Sequence, residues 1–219
     1  MKSGKSMVYL PLSLRSYLTV LLCQSGRSSG PDCLSPIIFK QLSDSLALPL
    51  SLLLESFMST SSVPNEWRAA HVVPVFKSGS SAQVANYRPI SLTCIACKLM
   101  EIIINVNLLG YLHQHKLLSK AQHGFLSRRS TTTNFLETIN DWSLTISNRR
   151  IASTVYIDFS RAFDSVYHNK RFCKLRSLGI EGNLLSWIIS FRSNRIIRTL
   201  VGSALSNGCP LRSGVVQGS

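Results

Sequence analysis

Asp158 and Asp164 stand six residues apart in Tyr156-Ile157-Asp158-Phe159-Ser160-Arg161-Ala162-Phe163-Asp164. The chain has 10 acidic residues in 219, so two in one short window draw attention first. Ile151 to Ile157, just upstream, is rich in β-branched and aromatic residues and is expected to form a strand. Asp158 then ends that strand. Asp164 falls in the first turns of a helix expected over Arg161 to Leu178, with Gly179 as its stop. Hard divalent cations such as Mg²⁺ take carboxylate oxygens and keep waters and substrate phosphates, so a strand-end Asp is a natural ligand. An Asp in this place also caps a following helix. Spacing alone leaves both readings open.

The charge balance indicates what such a site faces. Lys and Arg number 24, giving a net charge of +14. That excess points to a polyanion: DNA, RNA or an acidic membrane surface. A basic secreted domain is the alternative. Cations cluster at Arg128-Arg129, Arg149-Arg150, Lys170-Arg171 with Lys174 and Arg176, and Arg192, Arg195 and Arg198. Apolar residues make up 45%, which excludes an intrinsically disordered chain.

The six cysteines, at 23, 33, 94, 97, 173 and 209, are dispersed rather than paired. Reduced thiols and an intracellular chain, nuclear or cytoplasmic, are therefore expected. Cys94-Ile95-Ala96-Cys97 is a lone CxxC with no partner pair, read as cysteines in a half-buried helix start rather than a zinc site. No run reaches 18 uninterrupted apolar residues, so no transmembrane helix and no membrane partner are expected. Lys2 and Lys5 precede an apolar-rich stretch, Met7 to Cys23, but Arg15 inside it argues against a signal peptide.

The elements that must position these groups follow from periodicity. Helices are expected over Leu34 to Met58, interrupted at Pro49, and over Leu99 to Leu118, Thr132 to Asn148 and Leu184 to Phe191. Strands are expected over Arg68 to Phe76 and Ile196 to Val201. Asn86 to Leu92 is expected to be extended, because Pro89 disfavours helix at Arg88. Helices and strands mix without strict alternation, so the fold class is α+β.

Tyr156 to Asp164 resembles motif A of the reverse transcriptases of non-LTR (LINE-type) retrotransposons, Y-x-D-F-S-K-A-F-D-x-V. Other blocks resemble that family in the same order. They are Gly30-Pro31-Asp32; Pro64 to Ala70 with Val73 to Gly79; Asn86-Tyr87-Arg88-Pro89-Ile90-Ser91-Leu92; Gln122 to Phe125 with Arg129-Ser130-Thr131; Leu178-Gly179-Ile180 with Trp187; and Ser213 to Ser219, similar to motif B, S-G-V-P-Q-G-S. The resemblance covers residues 30–219.

What it implies is a right-hand polymerase, with fingers over 30–150, a partial palm over 151–219 and a poorly matching extension over 1–29. The implied reaction adds a dNTP to a DNA primer on an RNA template, with two Mg²⁺ ions clamping the attacking and leaving oxygens. Asp158 becomes the motif A metal ligand, and Phe159 lends a backbone carbonyl to the second metal. Phe163 sits under the sugar and excludes a 2′-hydroxyl, with core packing as its plain alternative. Arg88, assisted by Lys77, contacts the triphosphate. Gln217 touches the incoming nucleotide, and Gly218 lets the backbone approach. Asp164 is expected to cap or support rather than ligate.

Departures matter as well. Val216 replaces the motif B proline, and no F/Y-x-D-D motif C occurs; no Asp follows Asp164. No thumb is expected within these residues either. The expectation is a polymerase fragment, inactive alone. The alternative is a non-catalytic basic remnant that binds nucleic acid. Oligomeric state is not indicated.

Overall fold

Local chemistry sets the first helices. In the computed structural model, which describes residues 29–160 and 162–215, α1 (Pro36–Gln41) starts where the Ser35 hydroxyl accepts the Ile37 N–H at 3.3 Å and Pro36 takes the first turn. Helix α2 (Ser43–Ser59) runs through Pro49 without ending there. The expected interruption at Pro49 lies instead at Leu42, whose φ of −101° and ψ of 18° leave the helical region. The stretch from Met7 to Cys23 lies outside the described residues, as do Arg161, Val216, Gln217 and Gly218.

After a single turn, α3 (Asn65–Arg68), the chain enters β1 (Ala69–Phe76) and returns through β2 (Tyr87–Leu92). Then come α4 (Ile95–Gln114), α5 (Thr131–Ser147), α6 (His168–Ser177), α7 (Gly182–Arg192), β3 (Ile196–Val201) and the two-residue strands β4 (Ala204–Leu205) and β5 (Cys209–Pro210). β1 is central: it pairs antiparallel with β2 and parallel with β3, and β3 also pairs with β4 and β5. The fold is therefore mixed α+β.

The described residues form two compact units. One holds the residues up to Leu108 and those from 162 onward; the other is Leu109–Ser160. The first unit has the core. Leu54 from α2, Trp67 from α3, Leu184, Leu185, Trp187 and Phe191 from α7, and Ile95, Leu99, Met100 and Ile103 from α4 are all buried. Trp187 stacks on Phe191 at 4.9 Å, and Phe57 meets Trp67 edge-on at 5.2 Å. Burying each of these side chains contributes about 1.5–3 kcal/mol. Helix α6 ends in a Schellman turn, with Gly179 at φ 83° and the Ile180 N–H on the Leu175 carbonyl at 3.0 Å.

Helix α4 is long and apolar enough to cross a membrane by length and composition. Its buried face at Ile95, Leu99, Met100, Ile103 and Ile104 is that of a core helix.

Two expectations fail in the same region. Residues 151–157 form no strand: the segment has no regular structure, and Ile151, Val155, Tyr156 and Ile157 are 94%, 82%, 80% and 77% exposed. Nothing among the described residues pairs with it, so β-propensity has no ladder to complete. The following helix begins at His168, not at 161, because residues 162–165 form turns.

Candidate active site

The β1–β2 hairpin positions two of the candidate residues. Arg88 lies directly across from Val75. Lys77 follows β1 and keeps the ladder, its N–H reaching the Asn86 carbonyl at 2.8 Å. Side chains alternate along a strand, so Lys77, two residues past Val75, emerges on the same hairpin face as Arg88. Phe76 and Tyr87 pair on the other face, ring centroids 5.5 Å apart. Both cations are exposed, and neither is in an ion pair among the described residues. The connection between them is tied by its own side chains. Asn86 Nδ2 donates to the Ser80 carbonyl at 2.9 Å, and the Tyr87 hydroxyl donates to the Ser81 carbonyl at 2.9 Å. Gly79, at φ 89°, leaves room for Asn86. The result is a braced pair of cations suited to an anionic ligand.

A second junction joins the stretch after Asp158 to residues 213–215. The Gly214 N–H donates to the Val166 carbonyl at 3.1 Å, and the Val215 N–H to the Phe163 carbonyl at 3.1 Å. His168 Nε2 bonds the Gly214 carbonyl at 2.8 Å. Gly214 is buried at φ 84°, and a Cβ there would lie 3.1 Å from both Cα and O of Asp164. Only glycine lets these two backbones approach so closely. The N-cap of α6 is Tyr167, three residues past Asp164, and its own side chain makes no cap bond. Phe163 is 49% exposed, so core packing does not describe it. His168 was not singled out by sequence reasoning. Its only signal is that it opens a helix after a loop.

Asp158 and Phe159 lie in the exposed segment of the Leu109–Ser160 unit, Phe159 being 76% exposed. Trp142 Nε1 on Thr154 Oγ1, at 3.0 Å, ties this segment to α5. Lys77, Arg88 and Phe163 belong to the other unit. Gln217 and Gly218 lie outside the described residues. Among the described residues no group of three or more His, Cys, Asp or Glu side chains is placed to hold a metal ion. A lone Asp158 does not fit a two-metal centre.

The same unit holds a cluster that sequence reasoning met only as a motif. His123, buried, places Nδ1 2.9 Å from Thr133 Oγ1 and Nε2 3.0 Å from Glu137 Oε2. Arg129 Nη1 lies 3.0 Å from the same Nε2 and 3.2 Å from Glu137 Oε1. The Thr133 hydroxyl is already engaged in the capping box, donating to the Ser130 carbonyl and accepting the Ser130 N–H. It is therefore no nucleophile. The cluster clasps loop 122–130 to the start of α5.

In the core of the first unit, Arg195 is buried, donates to the Phe191 carbonyl at 3.2 Å and lies 4.6 Å over that ring. Arg192 lies 5.5 Å over the ring's centre. Burial, and secondly the nearby Arg171, lowers Arg192 to about 10, against the pull of Glu101.

Residues 76–219 match the family model described as reverse transcriptase (RNA-dependent DNA polymerase). The chain is 28% identical over 194 residues to the RNA-directed DNA polymerase from mobile element jockey of Drosophila melanogaster, covering 88% of this chain and 21% of that protein. It is 26% identical over 194 residues to the probable RNA-directed DNA polymerase from transposon BS of the same species, with the same coverage. To the retrovirus-related Pol polyprotein from type-1 retrotransposable element R2 of Popillia japonica it is 28% identical over 158 residues, 71% of this chain and 22% of that one. The chain thus spans about a fifth of the length of the curated relatives it matches.

Proposed function

The chain belongs to the reverse transcriptase (RNA-dependent DNA polymerase) family, of the kind carried by non-LTR retrotransposons. From that premise we propose that it supplies the fingers and part of the palm of an RNA-directed DNA polymerase, acting on an RNA template, a DNA primer and dNTP inside the cell. The observation that carries this is the shared solvent face of Lys77 and Arg88 on a braced hairpin. A guanidinium fork and an ammonium side by side suit the oxygens of a triphosphate.

The remaining roles rest on matched motifs. Asp158 is proposed as a metal ligand and Phe159 as the donor of a carbonyl to the second metal. Phe163 is proposed as the ring under the sugar. Its 49% exposure and its place beside the Gly214 junction support a surface-facing role. Gln217 and Gly218 are proposed to meet the incoming nucleotide. The family works with divalent metal, Mg²⁺ here. No step is assigned to it, since Asp158 alone does not make the site.

Direct binding tests the hairpin assignment. The 219-residue chain is titrated with a fluorescent dNTP, and Arg88→Ala is expected to weaken binding about tenfold or more, the worth of a charged hydrogen bond. Equal affinity in a folded Arg88→Ala variant would sink the assignment.

A second reading is a non-catalytic nucleic-acid-binding remnant. It is favoured by the net charge of +14 and by the exposed Lys170 and Lys174 on α6. Phosphate binding by a basic helix needs no metal site.

A further inference from the structure

The Leu109–Ser160 unit contains a cavity of about 930 Å³ that no part of the polymerase reading uses. Clefts that bury a ligand run from about 300 to 1,000 Å³. One wall is the end of α4, where Leu109, Leu112 and His113 stand at the i, i+3, i+4 spacing of one helix face. The helix closes in a Schellman turn. The Leu117 N–H reaches the Leu112 carbonyl at 2.9 Å, and the Lys116 N–H reaches the His113 carbonyl at 3.0 Å. Glycine is the usual residue where Lys116 stands, yet Lys116 takes the left-handed conformation at φ 55° and lines the cavity with a cation.

The other wall is the loop after α4, which brings Leu118, Lys120, Leu126 and Arg128. Contacts of its own fix this loop. The Arg129 N–H reaches the Leu126 carbonyl at 3.3 Å, and Arg129 Nη1 donates to Glu137 Oε1 at 3.2 Å. Glu137 Oε2 lies 3.0 Å from His123 Nε2, and His123 Nδ1 lies 2.9 Å from Thr133 Oγ1 at the start of α5. A wall braced in this way loses little to ordering when a ligand binds.

The two walls share an aliphatic lining and one sign of charge. Leu109, Leu118 and Leu126 are half-buried, with Leu112 buried beside them. Lys116, Lys120 and Arg128 are exposed and in no ion pair among the described residues. No Asp or Glu among the described residues lines the cavity. Like charges gathered on one rim repel each other until a partner brings the opposite sign. The fitting ligand is therefore anionic and apolar at once. Single-stranded nucleic acid is anionic, but its bases stack on aromatic faces, and His113 is the sole aromatic ring in either wall. Leucines instead suit aliphatic side chains. We propose that the cavity receives an acidic peptide segment of a partner protein. Its aliphatic side chains lie on the leucines, and its carboxylates meet Lys116, Lys120 and Arg128.

The test titrates the 219-residue chain into a fluorescein-labelled synthetic peptide of alternating leucine pairs and glutamate pairs, and reads anisotropy. Two double variants remove equal charge from the same unit: Lys120→Glu with Arg128→Glu at the cavity, and Arg149→Glu with Arg150→Glu outside its lining. All these residues are exposed, and circular dichroism checks that both variants fold. The cavity pair is expected to weaken binding about tenfold or more, the worth of a charged hydrogen bond, and the control pair less than about threefold. Peptides with every leucine replaced by serine, or every glutamate by glutamine, should each bind the parent chain about tenfold more weakly or worse. Equal losses in the two double variants would reduce the binding to general charge attraction and overturn the proposal. So would a serine peptide that binds like the leucine one, or no binding of the leucine–glutamate peptide at all. Single-stranded RNA, measured in parallel, is expected to lose no more affinity to the cavity pair than to the control pair. A larger loss at the cavity pair would assign the site to nucleic acid and sink the peptide reading.

Discussion

Replacing Gly214 by Ala should open the junction between residues 163–168 and 213–215. Gly214 sits at φ 84°, which costs an L-residue roughly 1–2 kcal/mol. The added Cβ would lie 3.1 Å from Cα and O of Asp164 and 3.2 Å from the Phe163 carbonyl oxygen. These are backbone atoms that cannot swing away as a side-chain tip would. Moving them loosens the bonds from Gly214 to Val166 and from Val215 to Phe163, each worth about 0.5–1.5 kcal/mol net. Together the local cost is about 2–5 kcal/mol, which is roughly a thirtyfold to several-thousandfold loss of protection. Amide hydrogen exchange at residues 214 and 215 reads this directly. Gly110→Ala is the control: a Cβ there meets nothing within 4 Å, so it should stabilise α4 by about 0.5–1 kcal/mol. Unchanged protection at 214 and 215 in Gly214→Ala would refute the reasoning.

Arg192→Met is expected to hold or raise the denaturation midpoint at neutral pH. The folded state lowers Arg192 to about 10, below the ordinary guanidinium range, so folding disfavours its charged form at all pH values below about 10, and the penalty fades as pH rises from there. A clear loss of stability in the Met variant would contradict this. Replacing Lys170, Arg171 and Lys174 together by Gln should reduce the slope of log affinity against log salt for single-stranded RNA by about one to two. An unchanged slope in the folded triple variant would remove α6 from the nucleic-acid surface.

Much of the fold was legible because periodicity and punctuation agree there. β3 falls on Ile196–Val201 as expected, and β1, β2, α4, α5 and α7 lie within a few residues of expectation. The failures share a cause. Residues 151–157 have strand composition, but a strand exists only with a neighbour, and local sequence carries no sign of one. The start of α6 is delayed because residues 163–166 bond to 214–215, some fifty positions away. The break before α2 falls at Leu42 rather than at the visible proline. Lys77 and Arg88 were legible as candidates only through a family likeness. That they share a face follows from the hairpin register. The Cys94–Cys97 pair was read as half-buried. Their full burial, and the Cys97 thiol's contacts with the Trp67 carbonyl and Glu101, needed the structure.

Primer extension by a completed polymerase tests the central claim most directly. Residues 1–219 are fused to the part of the jockey polymerase that follows the matched region, and deoxynucleotide incorporation is measured on an RNA template with Mg²⁺. The account predicts incorporation that Asp158→Ala abolishes and Arg88→Ala reduces about tenfold or more. The 219-residue chain alone should give none above its own Asp158→Ala control. A folded, active fusion indifferent to Asp158→Ala would contradict it.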